Sequence, residues 1–103
     1  MIKLVALFKR PQNVEEFDTH YNQVHSPLML KVPGLVKMEV TRDLKAFRGE
    51  PEYYLIAEMY FRDQESFDAA MASEENRAAG KDLMSFAREY VTMVYGPVSD
   101  FDN

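Results

Sequence analysis

The sequence has no cysteine, few glycines and no apolar run long enough to cross a bilayer. Without cysteine there can be no disulfide, thiolate metal site or cysteine nucleophile. The four glycines are not spaced as a phosphate-cradling or dinucleotide loop, so NAD, FAD and ATP are not expected. No Ser-His-Asp array or carboxylate-rich calcium loop is seen, and neither a cofactor nor a metal is expected. Basic residues are also in the minority, 12 against 17 acidic, for a net charge of −5. They are scattered singly among carboxylates, where nucleic acid or an anionic membrane would require a basic stripe. The N-terminal apolar run stops at Lys9-Arg10 and lacks a small-residue cleavage site, so a cytoplasmic protein is expected.

What remains is an ordinary globular composition, 47% apolar and 28% charged, in 103 residues. That length suits one domain, residues 1–103, with one core. Residues 2–8 are apolar apart from Lys3 and read as a central strand buried on both faces. Asn13 is a good helix N-cap, with Glu16 in the capping-box position. Val14, Phe17, Tyr21, Val24 and Leu28 then form an apolar stripe. Pro27 lacks an amide donor and disfavours helical geometry at Ser26, so a kink or an end is expected near His25.

Pro33-Gly34 marks a turn. Val36, Met38 and Val40 alternate with polar residues in a half-buried strand, and 42–52 reads as an exposed loop. A strong strand follows over 53–61. Asp63 and Ser73 can cap two helices, and a last strand runs from about Val91 to Tyr95. The order β-α-β-β-α-β is the ferredoxin-like, split βαβ arrangement: an α+β fold with four antiparallel strands and helices on one face.

That arrangement leaves one sheet face open. Leu55, Ala57, Met59 and Phe61 can face the helices, but Tyr54, Ile56 and Tyr60 would then lie on the bare side. A patch of that kind is larger than soluble monomers usually expose, and a second copy of the chain would cover it symmetrically. A homodimer through the sheet face is therefore expected.

The block Glu16-Phe17-Asp18-Thr19-His20-Tyr21-Asn22-Gln23-Val24-His25-Ser26-Pro27-Leu28, followed by Lys31-Val32-Pro33-Gly34-Leu35, resembles the EthD family, named for ethyl tert-butyl ether degradation. The likeness continues in Tyr54-Leu55-Ile56-Ala57-Glu58, Ala69-Ala70-Met71-Ala72-Ser73-Glu74, Asp82-Leu83 and Phe86-Ala87. The resemblance implies a dimeric α/β barrel of ferredoxin-like subunits. Related barrels include cofactor-free monooxygenases, polyketide cyclases, muconolactone isomerases and haem-binding enzymes, and fold alone does not choose among them.

His25 is the leading candidate for chemistry, because imidazole exchanges protons near neutrality. It lies at the edge of the buried stripe where Pro27 loosens the helix; the competing reading is that it bonds carbonyls freed by the kink. His20 stands five residues earlier, about 140° round a regular helix, too far for shared chelation of a metal. It reads as a partly buried polar or interface residue. Glu58 is the odd carboxylate in an apolar strand: a second acid or base if its site is greasy, or the partner of Arg62, Arg88 or another cation.

Tyr21 keeps the helical period and reads as core. Tyr54, Tyr60 and Tyr95 are expected on the sheet face, where hydroxyls can orient a ligand or bridge subunits. Arg62 could hold an anionic group, although a surface role is the default.

The function that these residues and the resemblance together imply is binding of a small apolar molecule (aromatic, lactone or polyketide-like). Proton transfer by His25 would serve isomerisation, cyclisation or oxygenation, the last making it an oxidoreductase, with His20, Tyr21, Tyr54, Tyr60, Tyr95 and Arg62 as candidate contacts. The alternative is a non-catalytic accessory or binding protein of a catabolic oxygenase. Haem ligation by His25 lacks an obvious distal residue.

Overall fold

The computed structural model describes residues 1–101. Its elements are β1 (Ile2–Phe8), α1 (Val14–His20), a π-helical turn (Tyr21–His25), α2 (Ser26–Met29), β2 (Leu35–Thr41), β3 (Leu55–Phe61), α3 (Gln64–Met71), α4 (Glu74–Ala87) and β4 (Val91–Pro97). The strands form one antiparallel sheet in the order β2-β3-β1-β4, the ferredoxin-like topology read from the sequence. β4 is longer than expected, taking in Gly96 and Pro97, which sit opposite Lys3 and Ile2 on the sheet's edge strand, where proline is tolerated.

The helices cover one face of this sheet. Leu4, Ala6 and Phe8 on β1 and Leu55, Ala57, Met59 and Phe61 on β3 all point into the core beneath them. The pleat sends Val5, Leu7 and Ile56 to the other side, where they are only half-buried. The expectation that β1 is buried on both faces is thus corrected: it is central in the sheet, but only its helix-facing residues are sealed. β2 carries a bulge between Leu35 and Lys37, which leaves Val36 exposed while Met38 and Val40 pack on the core.

Local signals set the helix starts. Asn13, Asp63 and Ser73 each cap a helix by accepting from the backbone N–H three residues on, at 3.0, 2.8 and 3.0 Å. The turn into β2 needs a left-handed backbone, and Gly34 supplies it with φ of 82°.

The expected kink takes a specific form. The Ser26 N–H bonds to the Tyr21 carbonyl, five residues back, so the helix widens by one residue just before Pro27. Proline has no N–H for the carbonyl four back and its ring crowds that carbonyl, so a regular α-helical turn is disfavoured at this point. The extra residue also shifts the buried stripe. Val24 is exposed and Leu28 only partly buried, while Phe17, Tyr21, His25 and Met29 form the sealed row. His25 is therefore in the core, not at its edge.

Candidate functional site

The π turn brings together two residues that a regular helix would separate. His20 Nε2 lies 2.8 Å from one oxygen of Asp82, and His25 Nδ1 lies 3.1 Å from the other. A carboxylate can only accept, so both ring nitrogens donate. The assignment fixes the tautomer of neutral His25: Nδ1 holds the proton and Nε2 keeps its lone pair. Phe86 completes the cluster, its ring 4.4 Å from that of His20 and 5.4 Å from that of His25.

Asp82 is not among the candidates read from the sequence, although a local signal for it is present. It stands three residues after Ala79 and four before Phe86, so it falls on the apolar stripe of α4, where a carboxylate requires partners.

Beside His25 is a cavity of about 510 Å³ between the sheet and the helices. Its walls are largely apolar, with Met29, Met59, Met71, Phe67 and Leu83 among them. Tyr21 and His25 stand in the wall together, ring centroids 5.6 Å apart. Burial pulls the His25 imidazole below its ordinary range, against the opposing pull of the Asp82 hydrogen bond and charge. Burial likewise raises the Tyr21 phenol to about 12, although Arg42 and Ser26 oppose the shift.

The other candidates are dispersed. Glu58 is on the open sheet face, bonded to Lys3 Nζ at 2.8 Å, so the structure does not join it to His25. The lysine, not Arg62 or Arg88, is its cation, and this pair raises the pKa of Lys3. Tyr60 shares that face. Its hydroxyl donates to Glu39 at 2.9 Å, and the ammonium groups of Lys3 and Lys37 lie 5.2 and 4.7 Å from its ring centroid.

Tyr54 and Tyr95 were expected on the same open face, and neither is there. Tyr54 precedes β3, where the pleat no longer dictates direction. Its ring packs on Phe17, and its hydroxyl donates to Asp18 at 2.7 Å. Tyr95 pairs with Leu4 in the sheet and so shares its helix-facing side; it lines the cavity, its ring 4.7 Å from that of Phe67. Arg62 is on the surface beside Asp63 and does not line the cavity. Among the described residues no group of three or more His, Cys, Asp or Glu side chains is arranged to hold a metal, and no helix is long and apolar enough to cross a membrane.

The EthD domain model matches residues 9–89, which includes both histidines and Asp82. This chain belongs to the EthD family. An ethyl tert-butyl ether degradation family protein from Bacillus halodurans is 43% identical to this EthD domain. It superposes with a TM-score of 0.92 over 96% of this chain and 99% of its own. Two more distant structures share the fold. One is a dimeric protein of ferredoxin-like fold from Bacteroides fragilis, 22% identical, covering 94% and 95% of the two chains with a TM-score of 0.65. The other is SnoaB, a cofactor-independent oxygenase from Streptomyces nogalater, 17% identical, covering 99% and 94% with a TM-score of 0.63.

Proposed function

We propose that this EthD-family protein binds a small apolar molecule in the cavity beside His25 and uses that histidine as a proton-transfer group. The observation that carries the reading is the Asp82–His25 contact. It commits Nδ1 to the carboxylate and leaves Nε2, on a buried ring in the cavity wall, as the basic atom. A carboxylate behind an imidazole holds its tautomer and stabilises the imidazolium formed when the ring takes a proton. His25 is the catalytic residue; Asp82 and His20 are positioning residues. Tyr21 and Tyr95 are the substrate contacts, and isomerisation, cyclisation or cofactor-independent oxygenation each begin with such a proton abstraction. Glu58, Tyr54, Tyr60 and Arg62 lie outside the cavity lining and take no part in this scheme.

The working unit is a homodimer through the open sheet face. Val5, Leu7, Ile56 and Val94 supply its apolar part, and the paired Lys3 and Glu58 lie beside them. The Bacteroides fragilis protein of the same fold is dimeric.

Gly80 provides a test of binding, because it lines the cavity and a Cβ added there meets no atom of the described residues beyond its own helical turn within 4 Å. The neutral fluorophore N-phenyl-1-naphthylamine is expected to bind the native protein saturably and to be excluded by Gly80→Phe, with circular dichroism unchanged. Equal binding to a folded Gly80→Phe variant would place the probe elsewhere and count against the site. Catalysis has its own test in deuterium uptake by the enolisable ketone 2-tetralone in D2O. The native protein is expected to exceed buffer, and His25→Gln to match buffer. Binding without any exchange would favour the accessory-protein reading.

A further inference from the structure

We infer that the cavity selects neutral, hydroxyl-bearing aromatic molecules and rejects carboxylates. The inference rests on the binding role proposed above and concerns the polarity of the atoms that a bound molecule would meet. Among the described residues no lysine or arginine lines the cavity. Arg42, over the Tyr21 ring at 5.7 Å from its centroid, is outside the lining and donates to Asn22.

Three lining groups have their hydrogen-bonding role fixed by neighbours, and all three are left as acceptors. His25 spends its Nδ1–H on Asp82, so Nε2 accepts. Asn76 directs its amide NH2 to the Met71 carbonyl at 3.3 Å, with the Met71 sulfur 3.8 Å away, so its Oδ1 is the atom available to a ligand. Asp68 is a carboxylate, and the amide of Gln64 occupies only one of its oxygens at 2.8 Å. The hydroxyls of Tyr21 and Tyr95 can act either way.

A ligand carboxylate would thus leave water for an apolar chamber that offers no cation and a carboxylate at its wall. Desolvation and like-charge repulsion both oppose it. A phenol or enol presents donors instead, and two hydroxyls can satisfy acceptors on different walls while the ring packs against methionine and phenylalanine. Asp68 is exposed on α3, and we assign it as the residue that enforces the charge rule.

Isothermal titration with three probes tests this: 2,7-dihydroxynaphthalene, its dimethyl ether and 2-naphthoate. The diol is expected to bind at least about tenfold more tightly than the ether, the worth of one good buried hydrogen bond. The naphthoate is expected to show no saturation in the range where the diol saturates. Asp68→Asn should improve naphthoate binding about fivefold or more, the scale of one partly screened charge contact.

Equal affinity for diol and ether, or naphthoate binding as tight as the diol's, would overturn the inference. In both cases Gly80-dependent binding of N-phenyl-1-naphthylamine would leave the proposed binding role standing. Failure of all four probes would remove both.

Discussion

His20 and His25, five positions apart in sequence, donate to opposite oxygens of the same carboxylate, at 2.8 and 3.1 Å. Asp82 is thus held from both sides, with only 13% of its side chain exposed. Asp82→Asn should leave the backbone in place but weaken two hydrogen bonds to a charged group. The expected loss is about 1–3 kcal/mol of unfolding free energy. Urea titration checks it: the midpoint should fall while the m-value stays constant. An unchanged midpoint would mean that the two imidazoles do not rely on this carboxylate.

Burial of His25 has a consequence for acid stability. Its folded pKa lies below the value near 6.5 that an unfolded imidazole shows. Between those two values the unfolded chain binds more protons, so this group favours unfolding there. Its contribution to stability is whole above about pH 6.5 and declines as pH falls through the window toward the folded pKa. Urea midpoints measured between neutrality and mild acid should therefore drop, and His25→Gln should lessen the slope. An identical slope in the variant would assign the acid sensitivity to other groups.

Val94 stands on the open sheet face, opposite Val5, and is 51% exposed in the single chain. Val94→Asp should disturb the subunit fold little, yet place an unpaired charge in the proposed apolar contact between copies. Sedimentation equilibrium at micromolar concentration is expected to give dimer mass for the native protein and monomer mass for the variant. Native protein at monomer mass would end the dimer proposal.

Tyr54 donates to Asp18, whose other oxygen is buried with no hydrogen-bond partner among the described residues. Removing the phenol oxygen leaves the carboxylate with still less. Tyr54→Phe is expected to cost about 1–3 kcal/mol, a large effect for one oxygen atom. The Tyr54 phenol, raised to about 12 chiefly by burial and then by Asp18, should also be slow to ionise in a spectrophotometric alkaline titration. Because Tyr21 is raised to about 12 as well, Tyr54→Phe should remove part of the late step, and an unchanged late step in that variant would contradict this contact.

Much of the fold could be read from period and punctuation. Residues Ile2 to Phe8, the caps Asn13, Asp63 and Ser73, and the alternation along β3 are local signals, and tertiary structure left them intact. The site was less legible because it depends on one inserted residue. A regular helix puts His20 and His25 far apart and buries Val24; the π turn reverses both, and proline signalled a kink without giving its form. Tyr54 and Tyr95 were misplaced for a related reason. Face assignments by alternation hold only inside a ladder and only with the right register, and neither was settled by composition. Asp82 required knowing which residues of α4 meet the π turn, a long-range fact that no local window contains.

The central claim is that His25 stands in the cavity wall as a neutral base with its proton on Nδ1. The chain has only two histidines, so nitrogen-15 NMR of selectively labelled protein resolves both rings. At pH 7 the His25 ring is expected to show a protonated Nδ1 and a deprotonated Nε2 whose resonance shifts when 2,7-dihydroxynaphthalene binds. A ring protonated at Nε2 instead, or an imidazolium at that pH, would contradict the account.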